Sequence, residues 1–164
     1  MSSKISIPDL KRITITDPLF RHYADMVAEK MIPVQWEILN GTGSSRCFCI
    51  DNFRVAAGEL NAEHRGVVFG DTDAYKWLEA VAYCANNGQT KYIPMADELI
   101  ELIGRAQQPD GYLNTYYTVR EPGQRWKNLT EGHELYSAGH LIEAAVAYYE
   151  ATGKRRLLEI ASKF

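Results

Sequence analysis

The chain has 164 residues, 46% hydrophobic and 24% charged, with a formal net charge of -3 at pH 7. That length can bury a core without disulfides or metals, and the slightly acidic balance offers no basic field for nucleic acid. No apolar run reaches the length of a membrane span, Met1–Pro8 lacks the apolar stretch of a secretory leader, and three cysteines, an odd number, suit free thiols in a reducing, cytoplasmic compartment.

Ile5–Ile15 alternates apolar and polar residues around Pro8, which predicts an extended N-terminal arm or short strand within residues 1–16. Thr16 or Asp17 then caps a helix with Pro18 in its first turn; it runs towards Asn40-Gly41 and bends at Pro33, which sets where Gln35 points. Gly41–Gly70 is rich in glycine and polar residues and reads as a long ordered loop with one short helix near Asn52–Glu59. Loops of that length in compact domains often carry function. After Asp71-Thr-Asp73, the residues Ala74, Trp77, Leu78, Val81 and Ala85 recur at helical spacing until Gly88 ends the run. Lys91–Gln107 predicts a third helix, with Ile93, Ala96, Ile100 and Ile103 on one stripe and Pro94 at its tolerant start. The short connection predicts that these two helices are antiparallel neighbours. Pro109-Asp-Gly111 breaks the pattern, and the β-branched and aromatic Tyr112–Val119 predicts a hairpin or extended lip. A fourth helix spans Gly132–Thr152 with Gly153 as its stop, and Lys154–Phe164 begins a fifth, with Leu157, Leu158, Ala161 and Phe164 on one face. Helical hairpins joined by chemically rich loops, without a repeat of fixed period, predict a mainly α chain forming the opening part of an α/α toroid rather than a solenoid.

His133, Glu134 and His140 superficially suggest a zinc helix, but Ser137 stands where the second histidine of a His-Glu-x-x-His motif belongs. His133 and His140 are seven residues apart, which separates them by roughly 10 Å along a helix, too far to share one ion. No metal ligand is therefore assigned; His140 and Glu143 are expected to satisfy hydrogen bonds in the helix packing, and His133, in the first turn, to face the mouth of a pocket. Asp71 and Asp73 form the nearest pair of carboxylates for glycosidic chemistry, although an acidic residue at a helix start is above all a cap. Among the aromatics, those at helical spacing are expected in the core, leaving Tyr112 and Trp126 as loop residues fit to stack on a sugar. Cys47-Phe-Cys49 is a weak metal pair.

Three motifs in register carry a resemblance: Asp71-Thr-Asp-Ala-Tyr-Lys-Trp-Leu-Glu-Ala80, Asp110-Gly-Tyr-Leu-Asn-Thr115 and His133-Glu-Leu-Tyr-Ser-Ala-Gly-His-Leu-Ile-Glu-Ala144. Nearly the whole chain resembles the N-terminal portion of the catalytic domain of glycoside hydrolase family 127, the β-L-arabinofuranosidase family. The resemblance implies a partial α/α six-hairpin barrel over residues 17–164, truncated, with residues 1–16 as an arm that joins a β-sandwich domain. It implies retaining removal of terminal β-L-arabinofuranose or a related rare sugar from plant glycans by a cysteine nucleophile held on zinc, beside further cysteines and a glutamate. Those positions correspond to sequence beyond Phe164, and Cys47, Cys49 and Cys84 do not match them. Zinc is thus expected in the full-length family enzyme but no cofactor in this chain, which should be inactive alone.

What the resemblance carries over is part of a sugar pocket: Gln35 in Pro-Val-Gln-Trp and His133 match sugar-contacting positions, with Phe69 as a further candidate. The partners it implies are a carbohydrate substrate and either the missing C-terminal part or a second copy joined through exposed barrel faces, with no nucleic acid and no membrane. A helical-hairpin protein-interaction module without enzymatic activity is the alternative. The three motifs argue against another α/α-barrel enzyme, such as an unsaturated uronyl hydrolase or sugar epimerase.

Overall fold

The computed structural model describes residues 8–43, 45 and 47–164. The expected arm at Ile5–Ile15 lies partly outside them. Within them, Leu10–Arg12 forms a single 3-10 turn rather than extended chain, because the Asp9 carboxylate accepts from the Lys11 N–H and fixes the turn.

Helix α1 (Pro18–Met26) starts as the sequence predicts: Asp17 accepts from the N–H groups of Leu19 and Phe20, and Pro18 occupies the first turn. The helix continues through a π-turn at Val27–Met31 into α2 (Ile32–Leu39). The π-turn is how the chain accommodates Pro33. Ile32 N–H bonds to Val27 O, five residues back, so in that register the partner of Ala28 O would be Pro33, which has no N–H. The Tyr92 hydroxyl donates to Ala28 O instead, at 2.9 Å. The short helix of the long loop, α3, spans Cys49–Ala56, three residues earlier than expected at each end. Its buried Asn52 donates to Arg65 O at 2.7 Å and accepts from Arg65 N–H at 3.1 Å, which pins the loop leading to α4.

Helix α4 (Asp71–Asn86) carries the core: Ala74, Tyr75, Leu78, Val81 and Ala82 are fully buried, and Trp77 stacks on Trp36 with ring centroids 4.6 Å apart. The Trp77 indole N–H donates to Ile32 O at 3.1 Å, locking α2 across α4. Helix α5 (Ile93–Ala106) buries Ala96, Ile100 and Ile103, three residues of the predicted stripe. Tyr112–Val119 is not a hairpin. No strand occurs among the described residues; Thr115–Val119 is the short helix α6, capped by Asn114, whose side chain accepts from Tyr117 N–H at 3.1 Å. Helix α7 (Glu134–Thr152) ends at Gly153, φ +75°, and α8 (Arg156–Ala161) buries Leu157 and Ile160.

Cross-links fix the directions. Lys76 meets Tyr136, and Glu79 lies with His140 and Glu143, so α4 and α7 run parallel and side by side. Tyr112 bonds Glu134 at the start of α7, and Asp97 meets Tyr148 near its end, so α5 runs antiparallel to α7 and hence to α4. Arg156 meets Glu101, and Arg156 and Ile160 approach Gly104, which sets α8 parallel to α5. The antiparallel relation expected of α4 and α5 holds, but the principal packing partner of α4 is α7, 48 residues after it in sequence. Two parallel helices, α4 and α7, flanked by α5 and α8 of opposite direction are the local geometry of an α/α arrangement.

Candidate functional site

The ends of α4 and α7 that begin each helix lie together, and a cleft of about 630 Å³ opens beside them, lined by Gln35, Cys47, Arg65, Asp73, Lys76 and Trp77 among others. Lys76 Nζ donates to the Tyr136 hydroxyl at 2.9 Å and carries the cleft lip across to α7. There Phe69 and His133 meet edge to face with ring centroids 5.0 Å apart, and Tyr136 stands 5.9 Å from His133. The structure thus brings Phe69 and His133 into contact and sets Gln35 in the adjoining cleft.

His133 adopts a left-handed backbone, φ 50° and ψ 25°, at the cap position of α7. This is costly for a residue with a Cβ and persists only where the surroundings fix it. They do so on both sides. Gly132 N–H donates to Asn128 O at 2.8 Å, and a Cβ at Gly132 would lie 2.4 Å from the Tyr117 hydroxyl, so no side chain fits there. Glu134 is fully buried; its carboxylate accepts from the Tyr112 hydroxyl and, at 2.7 Å, from Trp126 N–H. With its neighbours fastened inward, the half-buried His133 ring stays at the rim.

Asp71 plays the matching part at α4. It does not cap the helix, as its place in the sequence suggests; Gly70 holds the cap position. The Asp71 carboxylate accepts instead from Thr115 N–H at 2.7 Å and from Thr115 Oγ1 at 2.5 Å. Thr115 has one hydroxyl proton and gives it to Asp71, so His64 Nε2, 3.2 Å from Oγ1, must be the donor of the next bond. The three sequence motifs are therefore one polar network: the second motif supplies Thr115 to Asp71 of the first and Tyr112 to Glu134 of the third. Sequence reasoning did not assign the partners of Asp71 or Glu134, nor single out His64, because they are far apart along the chain.

The geometry removes two other candidates. Asp71 is 1% exposed with both oxygens engaged, so the Asp71–Asp73 pair cannot act together on a glycosidic bond. Tyr112 is 5% exposed and gives its hydroxyl to Glu134, so it offers no stacking face; Trp126 remains exposed. Cys47 lines the cleft, but burial and then the charge of Asp73 push its thiol up, and burial pushes Cys49 further. Neither is poised as a thiolate.

Burial raises the Asp71 carboxyl from 3.8 to about 6. Between those values the folded chain holds a proton that the unfolded chain has released, so this group makes stability fall as pH rises. Burial, with the charge of Arg120 second, lowers His64 from 6.5 to about 4. There the unfolded chain holds the extra proton, and stability rises with pH. The two slopes, each roughly 1.4 kcal/mol per pH unit, oppose one another across about pH 4 to 6. His64→Gln should therefore unmask Asp71, and urea midpoints of the variant, compared with the parent, should fall as pH is raised from 4 to 6. A variant profile that runs parallel to that of the parent sinks this account.

Residues 12–164 match the family model described as the beta-L-arabinofuranosidase, GH127 catalytic domain, and the chain belongs to that family. It is 38% identical over 170 residues to the non-reducing end beta-L-arabinofuranosidase of Bifidobacterium longum subsp. longum, covering 92% of this chain and 26% of that protein. Among solved structures, a GH127 beta-L-arabinofuranosidase from Geobacillus stearothermophilus T6 is similar with a TM-score of 0.89 and 55% identity, over 92% of this chain and 24% of that one. A second GH127 beta-arabinofuranosidase superposes with a TM-score of 0.83 at 32% identity, over 94% and 25%. The chain spans about a quarter of the length of the relatives it matches.

Proposed function

We propose that this chain forms one wall of the sugar pocket of a retaining glycoside hydrolase acting on terminal β-L-arabinofuranose or a related rare sugar of plant glycans. The observation that carries this reading is the strained, doubly anchored His133, held edge to face with Phe69 at the rim of the cleft that Gln35 lines. A neutral imidazole donates to one hydroxyl and accepts from another, a primary amide does the same with two adjacent hydroxyls, and the Phe69 ring covers the apolar face of a sugar.

The zinc–cysteine centre of the family does not fit the residues of this chain. Among the described residues no cysteine joins a ligand-sized group with His, Asp or Glu, and Cys47 and Cys49 are held as thiols. No catalytic step is assigned to it. In this reading residues 17–164 are the N-terminal part of an α/α barrel, and the described residues before them, 8–16, belong to an N-terminal arm. Three free cysteines suit a cytoplasmic setting, and among the described residues no helix is long and apolar enough to cross a membrane.

Isothermal titration of the 164-residue chain with methyl β-L-arabinofuranoside tests the pocket, and an aryl β-L-arabinofuranoside assay tests the chemistry. Binding should weaken at least tenfold in both Gln35→Ala and His133→Ala, with no turnover above buffer. Binding indifferent to both changes overturns the pocket; turnover lost on either change overturns the missing centre. The second reading, a non-enzymatic helical interaction module, is favoured by one observation, the exposed apolar strip of Leu135, Ile142, Val146 and Tyr149 on α7. Absence of any sugar binding by a cooperatively folded chain would select it.

A further inference from the structure

One turn beyond Lys76 and Tyr136, the seam between α4 and α7 gathers Glu79 from α4 with His140 and Glu143 from α7; one ligand atom of each lies within 4.8 Å of the others. His140 Nδ1 and a Glu143 carboxylate oxygen are 3.3 Å apart. That is the edge of a tetrahedron about a first-row cation, about 3.4 Å for metal–ligand distances near 2.1 Å. Yet this contact lacks the alignment of a hydrogen bond, and His140 Nδ1 is a buried atom without a hydrogen-bond partner. The hydrogen-bonding role expected of His140 and Glu143 is therefore not what the geometry provides.

Three further features suit a cation. The Tyr83 hydroxyl donates to one oxygen of Glu79 at 2.8 Å, orienting the carboxylate and leaving its other oxygen free. Tyr136 packs edge-on against His140, with ring centroids 4.6 Å apart, and fixes the plane of the imidazole. Among the described residues no Lys or Arg is paired with Glu79 or Glu143, so no side-chain cation offsets the two carboxylates. Glu143 is the most exposed of the three and is free to swing in by the ångström or so that closing the site requires.

We propose that Glu79, His140 and Glu143 form a binding site for a divalent first-row cation, with imidazole and carboxylate ligands suited to zinc. This departs from the expectation that the chain holds no metal ligand. The sequence spacing tested His133 against His140, whereas the third ligand comes from a different helix. The proposal is independent of the sugar pocket and does not fall with it.

The test is zinc binding by the metal-free 164-residue chain, measured by competition with a chromogenic chelator. One equivalent should bind, and Glu79→Gln and His140→Gln should each weaken it at least tenfold, while Cys47→Ser and His22→Ala change it less than twofold. Cobalt substitution should give visible bands without a thiolate charge-transfer band in the near ultraviolet. Near-ultraviolet circular dichroism identifies folded variants, and Glu143→Gln replaces any that is not folded. Loss of binding in Cys47→Ser, a thiolate band, or zinc affinity unchanged in folded Glu79→Gln and His140→Gln overturns the proposal.

Discussion

Glu134→Ala is expected to lower the thermal midpoint of the chain by roughly 10 °C or more. The substitution strips the acceptor from two buried donors, the Tyr112 hydroxyl and Trp126 N–H, and leaves a void at a fully buried position. Each unpaired donor costs about 1–3 kcal/mol, so the pair costs about 4 kcal/mol before the void is counted. In a chain of this size 1 kcal/mol moves the midpoint by about 2–4 °C. Thermal unfolding followed by circular dichroism reads the loss. A double-mutant cycle with Tyr112→Phe supplies the internal control, since in the Glu134→Ala background the hydroxyl has nothing left to bond and its removal should cost nothing further. A midpoint shift below about 3 °C, or strict additivity in the cycle, would show that Glu134 is not the anchor of this end of α7.

Gly111→Ala should have a comparable effect through a different cause. Gly111 has φ +89°, and a Cβ built on it would lie 2.0 Å from the Lys163 carbonyl oxygen and 2.8 Å from its carbon. The obstacle is backbone, not a yielding side chain. Left-handed strain of about 1–2 kcal/mol adds to an overpacking cost of about 1–3 kcal/mol. The turn has little room to move: Gln107 Nε2 bridges Gly111 O at 2.8 Å and Ile160 O at 2.9 Å, tying the end of α5 to α8. The clash is relieved most cheaply by peeling α8 away, so hydrogen exchange should show protection lost first over Arg156–Ala161. Unchanged protection there, with an unchanged midpoint, would falsify this account of the turn.

The helix boundaries at Asp17, Pro18, Gly88 and Gly153 were legible in the sequence because each is set by local chemistry, a carboxylate reaching two or three residues ahead or a glycine accepting positive φ. The buried stripes of α4 and α5 were legible for a similar reason, since periodicity records which face is apolar. Tyr112–Val119 misled because its β-branched and aromatic composition was overruled by Asn114 capping and by Thr115 being held by Asp71, 44 residues away. Asp71 misled in the same way, having a better partner than its own helix. The π-turn follows from Pro33, but the relief of Ala28 O by Tyr92, 64 residues after Ala28, does not. At the candidate site, His133, Phe69 and Gln35 came from motif matching, while the Lys76–Tyr136 contact that joins cleft and rim crosses two parallel helices and leaves no trace in spacing.

That parallel pairing has an electrostatic consequence. Asp71 is the first residue of α4 and Glu134 the first of α7, and the two helices, 16 and 19 residues long, start at the same end of the molecule. The aligned peptide dipoles of both helices therefore present their positive poles side by side. Two buried acidic side chains, Asp71 and Glu134, stand at those poles, so each helix start sets an acidic group against the positive end of its own backbone dipole, and the rim residues Phe69 and His133 lie at that same end.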